Sequence, residues 1–463
     1  MAPRFSSARF VGREAAFAQL AGVLDAAAAG RAGTLLVAAS GGMGVSRFLS
    51  EASARLGGLD EPFTVLRGRA TLGADDPYAP VIRAITPLLD ALDDADLAAV
   101  VGTSAEDVVR LLPSVASRAA VRALLPTRPT VASPERRQAR ALEAILGVLA
   151  RAARRRPLLV ILEDLHHADS ATRALVVFLA RIARHERLAI VGTYQPDELT
   201  RSHPLAADLA RLAESPRPPA RLDLGPLTRD EIAGLIEGIE GERPSASVLV
   251  LVAERSGGSP LVAEELLAAR RELSSGSLTG SLEDVVIARF ALRSPECRRV
   301  LRLLAPAGRP LTRDGLADVA AAFEAAADGR PPRSTGTRRR REGVLDADLA
   351  GGLEEGILHG FLVEGADGID FRHERIGRAV DADLLPLQRL RHHAALAVGL
   401  AGSRAAAAEH WLEARVADRA REAALHGAAR ANAVHAPYDE LRLLELALSL
   451  SDVASAGRRA AAA

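Results

Sequence analysis

Short apolar runs punctuate the first 225 residues, and longer stretches with apolar residues at helical spacing separate them. The runs that predict strands are 34–39, 63–67 (Phe63-Thr64-Val65-Leu66-Arg67), 158–163 and 188–194, with a fifth at 221–224. They lack the alternation of a half-wet sheet. Strands of this kind are buried on both faces, which predicts a parallel sheet covered by helices on each side. In such sheets ligands bind beyond the carboxyl ends of the strands.

The pattern changes after residue 225. Thr228 followed three residues on by Glu231 is a capping box that starts a helix. Further helical segments cover 248–255 and 261–273, interrupted by Ser256-Gly257-Gly258-Ser259-Pro260, and 274–281 has the composition of a linker. Within 282–385, helices precede a hairpin pattern, with 360–364 and 368–372 flanking Gly365-Ala366-Asp367. That order suggests a winged-helix unit, interrupted at 328–343 by a polar, basic stretch that reads as a disordered insertion. Residues 386–463 are helical and rich in Ala and Leu: 406–414 and 418–433 could pair, and 438–450 opens another pair. This resembles the start of a tetratricopeptide-type array, which needs about three repeats to bury its faces. The expected division is a tail at 1–9, an α/β core at 10–225, a helical lid and linker at 226–281, the winged-helix-like unit at 282–385 and the helical segment at 386–463.

Charge narrows the classes. The chain of 463 residues carries 59 basic and 59 acidic side chains, so no global field points to nucleic acid or membrane. Its one cysteine, Cys297, rules out an intrachain disulfide and fits a reducing compartment. No apolar stretch reaches the roughly 18 residues of a membrane helix. The N-terminus lacks the apolar region of a signal peptide. The expectation is a soluble, cytoplasmic protein without a membrane partner. Every basic residue among the Lys+Arg is arginine.

That last fact bears on VAASGGMGVSRFLSE (37–51), which lies between a predicted strand and a predicted helix. A glycine-rich turn there aims backbone N–H groups at phosphates, and the helix N-terminus adds its dipole. Gly41, Gly42 and Gly44 permit the geometry, and Ser46 stands where a hydroxyl would bind Mg²⁺. The pattern G-x-x-x-x-G-K-[ST] is broken at both ends: Ala39 holds the first glycine position and Val45 the lysine position. An ordinary strand-to-helix turn is the plain alternative. The second element is LVILEDLHHAD (159–169), an aliphatic run ending in Glu163 and Asp164. A phosphate-loop enzyme needs an acid at a neighbouring strand tip to hold Mg²⁺ and often a second to orient water. An exposed acidic turn is the alternative for either acid alone.

Other candidates point elsewhere. His166-His167 with Asp164 and Asp169 could suggest a metal, but the spacing matches no common zinc pattern. His392-His393 read as a solvated face and Trp411 as core, while Arg338–Arg341 form a basic run within the insertion.

Together, Phe10-Val11-Gly12-Arg13-Glu14, the loop at 39–47, Asp164–Asp169, Val191–Tyr194 and Gly258-Ser259-Pro260 fall in one order. That order resembles the ATPase module of large LuxR-type regulators, within the signal-transduction ATPases with numerous domains (STAND). The resemblance covers roughly 10–450. It implies an α/β P-loop NTPase-like domain with a helical lid, then a winged-helix unit and an all-α tetratricopeptide-like segment. It also implies that Val11, Gly12 and Arg13 line an adenine pocket and that Pro260 packs near adenine. Gly41, Gly42, Gly44, Val45, Ser46 and Arg47 would form the loop. Ser46 and Glu163 would hold Mg²⁺, Asp164 would act as the catalytic acid, and His373 would reach a bound ADP. Arg47 belongs to the pattern and does not replace the lysine. Departures are Ala39, Val45, Glu163 for an aspartate, His167 for a tryptophan and Gln195 for an arginine.

The implied function is a regulatory switch or scaffold that binds ATP or ADP with Mg²⁺ weakly and is at most a weak ATPase. Its C-terminal helices would meet a protein partner. No sequence-specific DNA binding is expected of this chain itself. The rivals are a nucleotide-independent interaction scaffold and a competent ATPase with a substituted phosphate-binding cation.

Overall fold

The computed structural model describes residues 5–56, 62–71, 76–126, 134–273, 280–327, 345–365, 367–400 and 402–461. The insertion expected at 328–343, including Arg338–Arg341, and most of the 274–281 linker lie outside them.

Five parallel strands form the central sheet: β1 (Gly33–Ala38), β2 (Thr64–Arg69), β3 (Leu158–Glu163), β4 (Leu188–Tyr194) and β5 (Ala220–Asp223), in the order β2-β3-β4-β1-β5. All residues of β3 and β4 are buried, as unalternating apolar runs require. Alternate residues serve opposite layers. Leu158, Val160 and Leu162 join a large core with the helices Ala79–Asp90, Pro134–Ala153 and Ser170–Ile182, whereas Leu159 and Ile161 face the helices Glu14–Ala28 and Val45–Leu56. β2 runs two residues further than its apolar pattern, through Gly68 to Arg69. A Cβ at Gly68 would lie 1.9 Å from the Pro80 carbonyl oxygen, so the close approach of the next helix requires glycine there.

The capping box forms as expected: Thr228 accepts from Glu231 N–H, and Glu231 from Thr228 N–H, at the head of the helix Arg229–Glu240. The helices Ala246–Ser256 and Pro260–Glu272 pack with it around Ile232, Ile236, Val252 and Leu267. The next helices, Leu282–Ala291, Pro295–Leu304, Arg313–Ala327 and Ala347–Leu358, precede the hairpin of β6 (Leu362–Gly365) and β7 (Gly368–Phe371). They enclose a second core around Val286, Cys297, Leu353, Phe361 and Ile369. A fully buried Arg289 joins this unit to the lid: it pairs with Glu265, also fully buried, and with Glu272 at 3.1 Å.

Helices Arg404–Glu413, Ala417–Ala433 and Pro437–Ala461 pack in succession around Ala405, Ala424, Leu443 and the buried Trp411. They also return to the first core, which Ala431, Val434 and Ala436 complete. The Asp439 carboxylate fixes this return. It accepts from Ser170 N–H (3.1 Å), Ser170 Oγ–H (2.8 Å) and Ala171 N–H (3.1 Å) at the start of the helix Ser170–Ile182. Asp169 accepts from Thr172 N–H at 2.8 Å on the same helix end.

Candidate nucleotide site

The turn after β1 is shaped by two glycines in the left-handed region, Gly42 (φ 89°) and Gly44 (φ 83°). Among the described residues, the backbone N–H groups of Gly41, Gly42, Gly44, Val45, Ser46 and Arg47 donate to no other group. The last three are the open first turn of the helix Val45–Leu56. Such a run of unpaired N–H groups fits a phosphate chain. The Val45 side chain is half-buried against the apolar layer with Phe48 and Leu49.

The lid closes on this turn. Gly42 O accepts from Leu261 N–H at 3.2 Å and from Ser259 Oγ–H at 3.3 Å, and a Cβ at Gly42 would lie 3.0 Å from that of Leu261. A cavity of about 300 Å³ remains beside the loop. Its walls include Asp164, Gln195, Pro260, Glu264, Arg372 and His373. Gly12 and Arg13 line a different cavity, with Leu224 and Glu231, on the outer side. Arg13 reaches across from it to donate to Met43 O at 3.1 Å, and Val11 packs toward Gly234. Of the residues named for the adenine pocket, Gly12 and Arg13 thus line one cavity and Pro260 the other, which it shares with His373.

Each arginine lining the inner cavity is already engaged. Arg47 donates to the carbonyls of Ser7 and Arg9. Arg372 donates to Glu264 Oε2 at 2.8 Å and to Glu265. Arg69 donates to Asp164 Oδ2 at 2.7 Å and reaches Asp370 Oδ2 on β7 at 3.3 Å. Burial raises the pKa of Asp164, opposed by Arg69. Asp164 itself adopts the left-handed region (φ 59°) and donates its N–H to Thr193 Oγ1 at 3.0 Å. His373 accepts from Arg375 N–H at 3.1 Å, and burial lowers its pKa to about 4, so it is neutral at pH 7.

Ser46 and Glu163 do come together, but with each other. Ser46 Oγ–H donates to Glu163 Oε2 at 2.7 Å, and Arg67 Nε–H donates to Glu163 Oε1 at 2.5 Å. Arg67 also donates to Ser50 Oγ at 2.8 Å and Ser46 O at 3.2 Å. A magnesium ion does not fit this donor set as folded. Its hydroxyl ligand is turned into a hydrogen-bond donor, and its carboxylate ligand is already neutralised.

The histidines, whose spacing matches no common zinc pattern, do cluster with an acid. His166, His167 and Glu374, not Asp164 and Asp169, offer ligand atoms within 4.8 Å of one another. However, Gln195 N–H donates to His166 Nδ1 at 3.3 Å, which puts the proton of the neutral ring on Nε2. Arg378 lies 2.7 Å from Glu374 Oε1, so that carboxylate already has a cation.

Sequence reasoning missed Arg67, Arg69 and Asp370. The available signal was small: two arginines two apart at the tip of a buried strand share one face of the sheet.

Residues 9–191 match the AAA ATPase domain family. This match supports a P-loop NTPase module in this part of the chain. Among solved structures, the chain is similar to a signal transduction ATPase with numerous domains (STAND) with a tetratricopeptide repeat sensor from Pyrococcus horikoshii. That match has 10% identity and a TM-score of 0.46, and covers 97% of this chain and 66% of the other. It is also similar to a Walker-type ATPase of Pyrococcus abyssi (12% identity, 82% of this chain, 98% of the other, TM-score 0.39). A third similarity is to the ADP form of an Aeropyrum pernix ORC2 protein (14% identity, 82% and 96%, TM-score 0.35). The present chain thus spans less than two thirds of the length of the Pyrococcus horikoshii protein. No curated protein matches the sequence. Among the described residues no helix is long and apolar enough to cross a membrane.

Proposed function

We propose that the chain is a regulatory switch of the STAND, LuxR-type kind that holds adenine nucleotide weakly and hydrolyses it little or not at all. The observation that carries this reading is the contrast within the loop. Six N–H groups are free for phosphate, while Val45 turns into the apolar layer and Asp164 is tied to Arg69. Binding by backbone groups needs no lysine. Hydrolysis needs charge neutralisation in the transition state and an acid free to orient water, and Asp164 is engaged elsewhere. The 282–385 unit, read as a winged helix, would sense the nucleotide through His373 at the cavity wall. The C-terminal helices are assigned a protein partner, in keeping with the exposed Leu441, Leu444 and Leu448. With equal numbers of basic and acidic residues, the chain is not assigned direct sequence-specific DNA binding.

Thermal unfolding with ADP and with ATP tests this reading. At a hundredfold excess over Kd, a ligand of the native state stabilises by about 2.7 kcal/mol. We expect an upward shift with either nucleotide, lost in Gly44→Asp, and no turnover of ATP above a protein-free blank. No shift at any concentration would leave the scaffold reading. Turnover that Asp164→Ala abolishes would establish a competent ATPase.

A further inference from the structure

We infer that arginines of β2 do the work of a divalent cation here, so that the site takes adenine nucleotide in its metal-free form. The inference rests on the nucleotide reading above and names the form of the ligand. Arg67 is held at three points, Glu163 Oε1, Ser50 Oγ and Ser46 O, the last one residue from Val45. Glu163 is only 4% exposed and has Ser46 Oγ–H on its other oxygen. Arg69 does the same for Asp164 and, unlike Arg67, lines the cavity. An arginine cannot shed its proton to make way for another cation. Magnesium would have to break the Ser46–Glu163 bond, displace a guanidinium from a buried carboxylate and then sit beside that positive charge. The two acids whose usual task is to hold metal and water each have a permanent counter-cation. The phosphates therefore meet a neutralised wall and the N–H groups of the loop.

Arg67 does not line the cavity, so its part is indirect. It holds Glu163 neutralised, and without it an unbalanced carboxylate would repel the phosphates until a divalent cation arrived.

The test is ADP binding by calorimetry to the full chain, once with EDTA and once with excess Mg²⁺, together with Mn²⁺ binding followed by electron paramagnetic resonance without nucleotide. We expect equal ADP affinity in the two buffers and no bound Mn²⁺. In Arg67→Gln, the repulsion from the unbalanced Glu163 carboxylate should lower affinity in EDTA about tenfold, roughly 1.4 kcal/mol. Mg²⁺ should then restore it, and Arg67→Lys, which keeps the charge but not the three-point hold, should lose less affinity in EDTA than Arg67→Gln. ADP that binds the parent chain only with Mg²⁺, or Mn²⁺ that binds it tightly, overturns the inference and leaves the nucleotide reading standing. ADP that binds in neither buffer overturns the nucleotide reading and this inference with it. The parent-chain measurements decide the matter even if Arg67→Gln does not fold.

Discussion

The phosphate loop and the ion pairs around it depend on their side chains in opposite ways. The loop presents its donors through the backbone. Its glycine dihedrals and helix start leave N–H groups free whichever side chains stand at 39 and 45. The surrounding shell works through side chains, and there almost every charge has been given a protein partner: Arg69 with Asp164 and Asp370, Arg372 with Glu264 and Glu265, Arg289 with Glu265 and Glu272. Binding geometry made by the backbone tolerates substitution. Charge chemistry does not, because a cation committed to a neighbour is no longer available to a ligand.

The contrast can be broken most severely at Arg289. Arg289→Met takes from Glu265 its fully buried partner and leaves it Arg372 alone, and removing one partner of a buried pair costs about 3–5 kcal/mol. The denaturation midpoint should fall accordingly, and the double variant Arg289→Met, Glu265→Met should recover most of it. If the single variant is as stable as the parent, the shell does not hold the lid.

A smaller effect comes from pH. His410 and His166 are held neutral by burial, each with a pKa lowered to about 3, and His373 to about 4. In the unfolded chain they take protons near pH 6.5. The unfolded state therefore binds more protons below that value, and stability falls as pH drops from about 6.5 toward 4. The limit is about 1.4 kcal/mol per pH unit for each histidine. Asp169, raised to about 6 by burial and Asp439, works the other way, since the folded state binds its proton first. Chemical denaturation between pH 7 and 5 should show net loss, and His410→Leu should flatten the slope. A slope unchanged by that variant would put the acid sensitivity elsewhere.

The mildest change is Arg69→Gln. The arginine side chain is 41% exposed, so the global cost should stay within about 1 kcal/mol. Locally, though, β7 loses its tie to Asp164. Amide hydrogen exchange at 368–371 should quicken while the β3 amides keep their protection. Equal protection in the variant and the parent chain would mean that apolar packing alone seats the hairpin.

The strands, the capping box and the loop were legible in the sequence because each is a local pattern. Five apolar runs, a Thr with Glu three residues on, and glycines between strand and helix all carry their cause within a few residues. The pairings that decide the chemistry were not. Arg69 and Asp370 are 301 positions apart, and Arg67 and Glu163 are 96. Only the β2–β3 neighbourhood and the docking of the hairpin bring them together. The division of Gly12 and Arg13 from Pro260 was hidden for the same reason, since it depends on how far the lid settles onto Gly42. Trp411 was read correctly as core from its helical spacing, and its 8% exposure agrees.

The clasp of Asp439 on the start of the helix Ser170–Ile182 makes Asp169 a gauge of where the C-terminal helices are. Two carboxylates serve one helix end, and the charge of Asp439 is part of what raises the pKa of Asp169 to about 6. If the C-terminal helices swing away, that contribution goes with them, and Asp169 becomes the stronger acid and gives up a proton. By reciprocity, protonating Asp169 tightens the clasp. Mild acid would hold the arm down, and lifting the arm in unbuffered solution between about pH 5 and 6 would register as acidification.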